Sequence, residues 1–265
     1  MSATAHDVWV FVEQRNRKPA DVSLELLCKG RKLAQAMAGT LKAVVMGEGT
    51  ETLVAEAFRF GADEALVIDH PSLRQYRTMP YSRILSDLVR THSPRIVLFG
   101  ATIIGRDLAP RVASATRSGL TADCTDLQIA DISYLRKEYK GLLLQIRPAF
   151  GGNIIATIVN YDQWPQMATV REGVMPLRSP SNERTGKIVE EKVEIDDMPM
   201  ALKLIQRHIE PRKVNLKGAR VIVAGGGGVG SKDNFKLIHD LAGALGGAVG
   251  ASRAAVDSGF VGKEP

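Results

Sequence analysis

A glycine-rich turn near the end of the chain has the residue types and spacing that suit phosphate binding. Gly225-Gly-Gly-Gly-Val-Gly230 matches the G-x-G-x-x-G spacing and lies between a predicted strand, Arg220–Ala224, and a predicted helix, Asn234–Leu245. A backbone without Cβ atoms lets N–H groups approach a phosphate, and the N-terminus of a helix favours an anion. The turn therefore predicts a nucleotide site, with a tight turn of purely structural purpose as the competing interpretation.

The segment after the next predicted strand bears on which nucleotide binds there. A NAD-type fold places an acidic residue at the end of the second strand, where it holds the ribose hydroxyls. Strand Gly247–Ala251 is instead followed by Ser252 and Arg253, with no carboxylate. NAD is therefore disfavoured, whereas NADP bound through Arg253 and a flavin dinucleotide whose pyrophosphate meets Ser252 and Arg253 both remain open.

Three other kinds of site are excluded by residue order or spacing. A P-loop requires Lys followed by Ser or Thr after its last glycine, and this chain has Ser231 followed by Lys232. The stretch Gly250–Ala254 lacks the final glycine of a hydrolase nucleophile elbow, and none of the five histidines is arranged to serve Ser252. Neither the histidines nor the two cysteines have the spacing of a metal site or a disulfide framework.

Short apolar runs alternate with helical patterns through the first half of the chain. The predicted strands are Val8–Val12, Leu41–Met46, Ala65–Ile68 and Arg95–Phe99. The predicted helices are an amphipathic segment over Leu26–Met37, then Glu51–Phe60, Tyr81–Arg90 and Arg106–Thr116. Repeated β-α-β units whose strands are apolar on both faces predict an α/β fold, a parallel sheet with helices on both faces.

The pattern changes after this region. Runs without intervening helices predict an antiparallel extension of the sheet, with strands at Leu127–Ala130, Leu142–Arg147, Asn153–Val159 and Gln166–Arg171. An alternating strand, Ile188–Ile195, and a short helix, Met200–Ile209, come next. The glycine turn then begins a second α/β unit of nucleotide-binding type.

The domain boundary is predicted in a charged segment around residue 198. Residues 1–198 should form the N-terminal α/β domain, and residues 199–265 a linker and an incomplete nucleotide-binding-type domain. Acidic residues of Glu190–Asp197 give way to basic residues of Arg207–Arg220, which favours a solvated linker over a phosphate-binding basic patch. Because about two strands bury too little surface for such a domain, further residues or another chain should complete it.

Composition excludes several classes of protein. The 265 residues are 45% hydrophobic and 24% charged, which is typical of a soluble globular protein. A net charge of +6 with only 5% aromatic residues does not suit nucleic-acid binding on a stacking surface. The start has no signal-peptide pattern, and no apolar run approaches the roughly 20 residues that span a bilayer. We expect a cytoplasmic protein without nucleic-acid binding or membrane insertion.

Several strings in the chain resemble the α subunit of electron transfer flavoproteins. They are Phe99–Arg111, Gly119–Thr125, Arg147–Asn153, Asn234–Leu237 and Val249–Asp257, and the likeness runs from Val10 to the last residue. Members of that family continue beyond the point that corresponds to Pro265, with a Gly-Gln-Thr-Gly loop and a Gly-Ile-Ser-Gly-Ala-Ile-Gln-His segment that contact the flavin. The resemblance therefore implies a chain that ends within its FAD-binding domain.

This resemblance implies an electron carrier that works as a heterodimer. FAD is the implied cofactor, and the family's glycine turn and Ser-Arg pair assign Gly225, Gly226, Ser252 and Arg253 to its site. A β subunit and a flavin dehydrogenase, such as an acyl-CoA dehydrogenase, are the implied partners. The family often has Arg where this chain has Gly227, so one positive charge near the cofactor is absent.

Arg147 has two interpretations. As a strand-end residue, it would stabilise the Gly151–Gly152 turn. In electron-bifurcating members the corresponding arginine approaches a second flavin, carried by the β subunit, and a guanidinium there stabilises a reduced, anionic flavin. Glu13–Arg15 and Val22–Leu27 resemble that anaerobic branch more than the mitochondrial one, which implies a NADH-dependent bifurcating complex.

Two functions of other classes remain open on the residues alone. An NADP-dependent reductase could use the same glycine turn, and a nucleotide-binding sensor module would have no redox role. The visible spectrum of the purified heterodimer distinguishes them, because only the electron carrier requires flavin absorbance.

Overall fold

The computed structural model describes residues 6–195, 202, 204–206, 216 and 219–262, and the chain divides into two units, Met1–Lys203 and Leu204–Pro265. The helices of the first unit are α1 (Asp21–Ala36), α2 (Glu51–Arg59), α3 (Thr78–His92) and α4 (Ile103–Thr116). Its strands are β1 (Val8–Val12), β2 (Gln14–Arg15), β3 (Lys18–Pro19), β4 (Leu41–Gly47), β5 (Glu64–Asp69), β6 (Ile96–Gly100), β7 (Leu120–Cys124), β8 (Asp126–Tyr134), β9 (Lys137–Ala149), β10 (Ile154–Ile158), β11 (Gln166–Val170) and β12 (Lys187–Glu190).

The main sheet has seven strands in the order β12-β5-β4-β1-β6-β11-β7. Every pair of neighbours in this sheet is parallel. The chain first builds outward from β1 through β4 to β5, and then returns to the other side of β1 with β6. This reversal is the topology of a doubly wound α/β fold.

Strand β1 explains why helices cover both faces of this sheet. All five of its residues are buried. Val8, Val10 and Val12 lie in the apolar core that α1 and α2 also build. Trp9 and Phe11 point to the opposite face, where α3 and α4 complete a second core. The predicted parallel sheet with helices on both faces is therefore confirmed.

The predicted antiparallel strands form a sheet of their own. Three strands pair in the order β10-β9-β8, and both pairs are antiparallel. Leu127 of β8 and Leu143 of β9 are buried in the same core as α1, so this smaller sheet packs on the first unit. The antiparallel region is therefore an added layer and not a continuation of the main sheet.

The prediction that Gln166–Arg171 belongs to the antiparallel region is wrong. Strand β11 is parallel to both of its neighbours and lies between β6 and β7. All five of its residues are buried, as expected for a central strand that is covered on both faces. The predicted strand Ile188–Ile195 is only partly present, because β12 ends at Glu190 and pairs parallel with β5.

The second unit contains a two-stranded parallel sheet and two α-helices among its described residues. Strand β13 (Ile222–Gly225) pairs with β14 (Ala248–Ala251), and the helices are α5 (Phe235–Ala244) and α6 (Arg253–Asp257). These bounds agree closely with the predicted strand-turn-helix order. The predicted helix Met200–Ile209 lies largely outside the described residues.

Gly105 is a position where the close approach of α4 and β6 requires glycine. A Cβ at this residue would stand 1.8 Å from the carbonyl oxygen of Gly100. We expect Gly105→Ala to lower the free energy of unfolding by at least about 2 kcal/mol, because backbone cannot move aside as a side chain can. Urea unfolding of the first unit would measure the change.

Gly47→Ala is the matched control for this substitution. Its Cβ would meet only side-chain atoms, the nearest at 3.4 Å. Equal losses of stability in the two variants would contradict the assignment of Gly105 as a packing glycine.

Candidate functional site

The glycine-rich turn lies at the carboxyl end of β13, beside the carboxyl end of β14. Gly225 is opposite Ala251 in the parallel pair, and the amide of Ser252 donates to the carbonyl of Gly225 at 2.9 Å. Ligands of open α/β sheets bind outside the carboxyl ends of the strands. Four residues assigned to one site from the sequence, Gly225, Gly226, Ser252 and Arg253, thus come together at one edge of this small sheet.

The glycines of this turn have two different roles. Gly225 is buried, and a Cβ there would stand 2.6 Å from the ring of Phe235, so this glycine lets α5 pack closely on β13. Gly226 and Gly227 are exposed, and a Cβ on either would have its nearest neighbour at 3.8 Å. Gly228 would meet nothing within 4 Å. The backbone after Gly225 therefore faces open space that a ligand can enter.

Asn234 holds the turn in place at the start of α5. Its side-chain amide donates to the carbonyl of Val229 at 2.9 Å, and its backbone amide donates to the hydroxyl of Ser231 at 3.1 Å. Gly230 has a φ of 80°, a left-handed conformation that favours glycine. The turn is thus fixed by the protein itself.

Ser252 and Arg253 begin α6 on the neighbouring strand end. The hydroxyl of Ser252 accepts from the amide of Ala255 at 3.3 Å, as an N-cap does. Arg253 is 92% exposed and its guanidinium lies 3.2 Å from Asp257. Exposed pairs of this kind contribute little stability, so the guanidinium can leave Asp257 to meet an anion.

Arg147 lies on β9 in the first unit, opposite Ala156 of β10. Its side chain is partly buried, and no hydrogen bond or ion pair joins the guanidinium to another described residue. The adjoining Gly151 and Gly152 have positive φ angles, and a Cβ on either would meet nothing within 4 Å. The described contacts therefore include none by which Arg147 stabilises that turn.

A charged cluster that the sequence did not predict lies near Arg147. Asp123, at the end of β7, accepts from Arg171 at 2.7 and 3.3 Å and from Arg106 at 3.2 Å. Arg171, with help from Arg106 and Arg147, holds the pKa of the Asp123 carboxyl below its usual range. Three guanidinium groups around one ionised carboxylate give these four side chains a net charge of +2.

The usual ligand crevice of the main sheet is filled. At the carboxyl ends of β1 and β6, where the strand order reverses, the buried Glu13 carboxylate accepts from the hydroxyl of Thr102. That hydroxyl in turn accepts from the amide of Gly105 at 3.0 Å. The cavity beside Glu13 measures only about 10 Å³, far below the size of a nucleotide pocket.

A much larger cavity of the first unit lies away from every predicted site residue. It measures about 640 Å³ between α2, β5 and β12, with Val54, Phe58 and Ile188 among its lining. Glu51, Glu190 and Glu191 stand at the same cavity, and their carboxylates disfavour a phosphate. Size alone therefore does not mark this cavity as the nucleotide site.

The described part of the chain contains neither a bilayer-spanning helix nor a metal-binding cluster. None of its helices combines the length and the apolar character that a bilayer crossing requires. Within the same residues, no three His, Cys, Asp or Glu side chains are grouped so that they could bind a metal ion.

Comparison with known proteins links both units to one family. The model of the electron transfer flavoprotein domain matches residues 8–196, and that of the electron transfer flavoprotein FAD-binding domain matches residues 215–265. The chain is 45% identical over 256 residues to the electron transfer flavoprotein subunit alpha of Thermoanaerobacterium thermosaccharolyticum, covering 96% of this chain and 75% of that protein.

Other relatives are similar over the same share of the chain. The electron transfer flavoprotein subunit alpha of Clostridium acetobutylicum is 43% identical over 267 residues, which cover 97% of this chain and 75% of that protein. A protein of Anaerotignum propionicum named acryloyl-CoA reductase electron transfer subunit beta is 40% identical over 277 residues, with 96% of this chain and 75% of that protein covered.

The predicted cofactor, FAD, is confirmed by the match of residues 215–265 to an FAD-binding domain. The open backbone of Gly226–Gly228 fits such a group, because amides without Cβ atoms can approach a pyrophosphate. The exposed guanidinium of Arg253 adds a positive charge on the neighbouring strand end. The chemistry of these residues therefore fits a flavin dinucleotide.

The two roles of the glycines can be separated by substitution. We expect Gly226→Ala to leave the fold intact, since its Cβ would contact no atom closer than 3.8 Å. The methyl group would occupy space that a pyrophosphate needs, so FAD should bind about tenfold or more weakly. Gly225→Ala should instead destabilise the second unit through the contact with Phe235. Flavin retention on gel filtration, with thermal unfolding, would measure both effects.

Gly243→Ala is the control within the same unit. Gly243 lies on α5 and its Cβ would meet nothing within 4 Å. Equal losses of FAD from Gly226→Ala and Gly243→Ala would contradict the assignment of the turn as the cofactor cradle.

Proposed function

The chain belongs to the electron transfer flavoprotein α-subunit family, and on that premise we propose that it carries electrons between a flavin dehydrogenase and another redox partner as one half of an αβ heterodimer. The open glycine turn beside Ser252 and Arg253 is the observation that carries this proposal. Residues 1–198 would contact the β subunit, and residues 199–265 would supply the linker and FAD-binding residues.

FAD supplies the redox chemistry, and the protein supplies its placement and its electrostatic surroundings. The amides of Gly226–Gly228 and the start of α6 would hold the pyrophosphate. Gly225 would act indirectly, by setting the distance between β13 and α5. Arg253 would lie against the pyrophosphate or the flavin ring, where a positive charge favours the form that has gained negative charge.

The β subunit would cover the outer surface of the antiparallel sheet. Ile154, Ile155 and Ile158 of β10 are 53%, 72% and 36% exposed, and Leu135 at the tip of the β8–β9 hairpin is 81% exposed. An apolar strand with this much exposed surface is typical of a protein–protein interface. Burial of these side chains against a partner is the most direct account of why they are apolar.

A second flavin, held by the β subunit, would lie near Arg147. Arg147 is partly buried and its guanidinium makes no hydrogen bond or ion pair with a described residue, and the Gly151–Gly152 turn beside it leaves room for a neighbouring molecule. Arg106, Arg171 and Asp123 add net positive charge to the same surface. This arrangement supports the electron-bifurcating branch, in which the two electrons of one donor such as NADH are divided between two acceptors.

The electron donor or acceptor would be a dehydrogenase that acts on acyl-CoA thioesters. The similar protein of Anaerotignum propionicum is named as an electron transfer subunit of acryloyl-CoA reductase. That name supports this class of partner for the present chain.

Heterodimer formation tests the proposed interface. We expect Ile155→Glu to weaken association with the β subunit by about tenfold or more, because a charge would be buried against apolar surface. Sedimentation of the mixed subunits would measure the affinity. Ile188→Glu is the control, since Ile188 is 55% exposed on β12, outside the antiparallel sheet. Equal effects of the two substitutions would argue against β10 as the contact surface.

Arg253 tests the flavin site. We expect Arg253→Gln to weaken FAD retention by the heterodimer roughly tenfold or more, because a charge-assisted hydrogen bond contributes about 1.5–3 kcal/mol. The reduction potential of this flavin should also become more negative, since a nearby positive charge is lost. Asp257→Asn is the control, as it removes only the surface partner of Arg253 and should retain FAD. If Arg253→Gln changes neither the FAD content nor the reduction potential of the flavin, Arg253 has only a structural role.

A further inference from the structure

We propose that Asp123 is a positioning residue for the Arg147 site. It orients Arg171 and Arg106 on the surface near Arg147, and it offsets part of the positive charge that a flavin on the partner subunit would experience. This inference rests on the proposed function, because it takes the flavin of the β subunit as the group that Arg147 approaches.

The backbone of Asp123 is held in an uncommon conformation that serves these contacts. Its φ is 61°, in the left-handed region that few residues other than glycine, Asn and Asp adopt. The pairing of β7 with β11 shifts register at this point, and the amide of Asp123 donates to the hydroxyl of Thr169 at 2.8 Å. A residue kept in such a conformation by its surroundings is a common feature of functional sites.

Both of the arginines that Asp123 binds are fixed in orientation. Arg171 donates to the two carboxylate oxygens through Nη2 and Nε, at 2.7 and 3.3 Å, which restricts the plane of its guanidinium. Arg106 donates through Nη2 to the carboxylate at 3.2 Å and through Nε to the carbonyl of Ala101 at 2.9 Å. Of the three arginines, only Arg147 has no side-chain hydrogen bond to a described residue.

The cluster therefore has two parts. One is a group of side chains held by hydrogen bonds, and the other is a guanidinium that can change its orientation. Asp123, Arg106 and Arg171 form an anchored group with one net positive charge. Arg147 adds a second positive charge, whose guanidinium can turn toward a neighbouring molecule. The carboxylate therefore limits the positive potential of a surface that would otherwise carry three charges.

The negative charge of the Asp123 carboxylate should lower the reduction potential of a flavin at this surface. A flavin gains negative charge when it is reduced, so a nearby negative charge opposes reduction and a nearby positive charge favours it. Loss of the Asp123 charge should therefore make reduction easier. A residue with a purely structural role would loosen flavin binding when replaced, but it would not favour the reduced form.

The test is a redox titration of the αβ heterodimer, followed by visible absorbance. Asp123→Asn removes the charge and keeps the shape, and Asn also tolerates the left-handed backbone. We expect the flavin near Arg147 to titrate at a more positive potential, with the ratio of reduced to oxidised flavin at fixed potential raised on the order of tenfold. Arg147→Gln and Arg171→Gln should each shift the potential in the opposite direction.

Asp162→Asn controls for net charge. Asp162 is 72% exposed and pairs with Lys137 at 3.4 Å. Lys137 and Arg147 are at opposite ends of β9, so the control lies about 33 Å along the strand from the proposed site. This variant should titrate as the unsubstituted heterodimer does.

The outcomes separate this inference from the proposed function. A heterodimer that binds a single FAD would overturn this inference and the second-flavin part of the proposed function, and it would leave the electron-carrier role in place. Two FAD groups with a shift in Arg147→Gln, but an unchanged or more negative potential in Asp123→Asn, would overturn the role of Asp123 alone. If Asp123→Asn does not form a stable heterodimer, Arg171→Gln decides the question, since an unchanged potential in that variant would also overturn it.

Discussion

The burial of β11 between β6 and β7 is the constraint on which the first unit depends. After β7, the chain leaves the main sheet and forms the antiparallel sheet. It must then return to the main sheet to place β11 between β6 and β7. Gln166 secures this return, because its side chain accepts from the amide of Leu143 at 2.8 Å and donates to the carbonyl of Asn160 at 2.6 Å. Its own amide donates to the carbonyl of Arg95 at 2.9 Å. Loss of such buried hydrogen bonds costs about 1–3 kcal/mol for each group left unpaired, so both sheets depend on this residue.

The same return strand assembles the charged surface of the first unit. Arg171 directly follows β11, and Asp123 lies near the end of the adjacent β7. The amide of Arg171 donates to the carbonyl of Cys124 at 2.9 Å, and the amide of Thr125 donates to the carbonyl of Ile146 at 2.8 Å. These contacts bring the strand that carries Arg147 to the edge where Asp123 and Arg171 meet. The fold, and not any local motif, produces this concentration of positive charge.

The carboxyl ends of the parallel strands are filled by side chains in the first unit and are open in the second unit. In the first unit, the Glu13 carboxylate and the Thr102 hydroxyl fill the crevice where a nucleotide would ordinarily bind. In the second unit, the corresponding edge is formed by Gly226–Gly228, which present backbone without side chains. This contrast supports the proposal that the first unit binds a partner protein and the second unit binds the cofactor.

Sequence patterns predict the strands and turns that depend on local residue types. They do not predict the contacts that arise only when distant segments come together in the fold. The unbroken apolar run of Val8–Val12 predicts a strand buried on both faces, and the glycine spacing of Gly225–Gly230 predicts a turn that can approach a phosphate. Residue type and spacing are sufficient for both predictions. The segment Gln166–Arg171 is predicted in the antiparallel region, but its sequence is equally compatible with a buried central strand, and this is why that prediction is wrong. The cluster of Arg106, Asp123 and Arg171 escaped notice because its members come from three separate elements.

Amide hydrogen exchange of the heterodimer, with and without FAD, would test the central assignment most directly. If the cofactor binds at the carboxyl ends of β13 and β14, amides of Gly226–Gly230 and Ser252–Ala255 should exchange more slowly when FAD is bound. Amides near Arg147–Asn153 should also slow if a second flavin lies at the partner surface. Slowing confined to Glu13–Gln14 and Ala101–Gly105, with no change at the glycine turn, would place the flavin in the crevice of the main sheet and contradict this account.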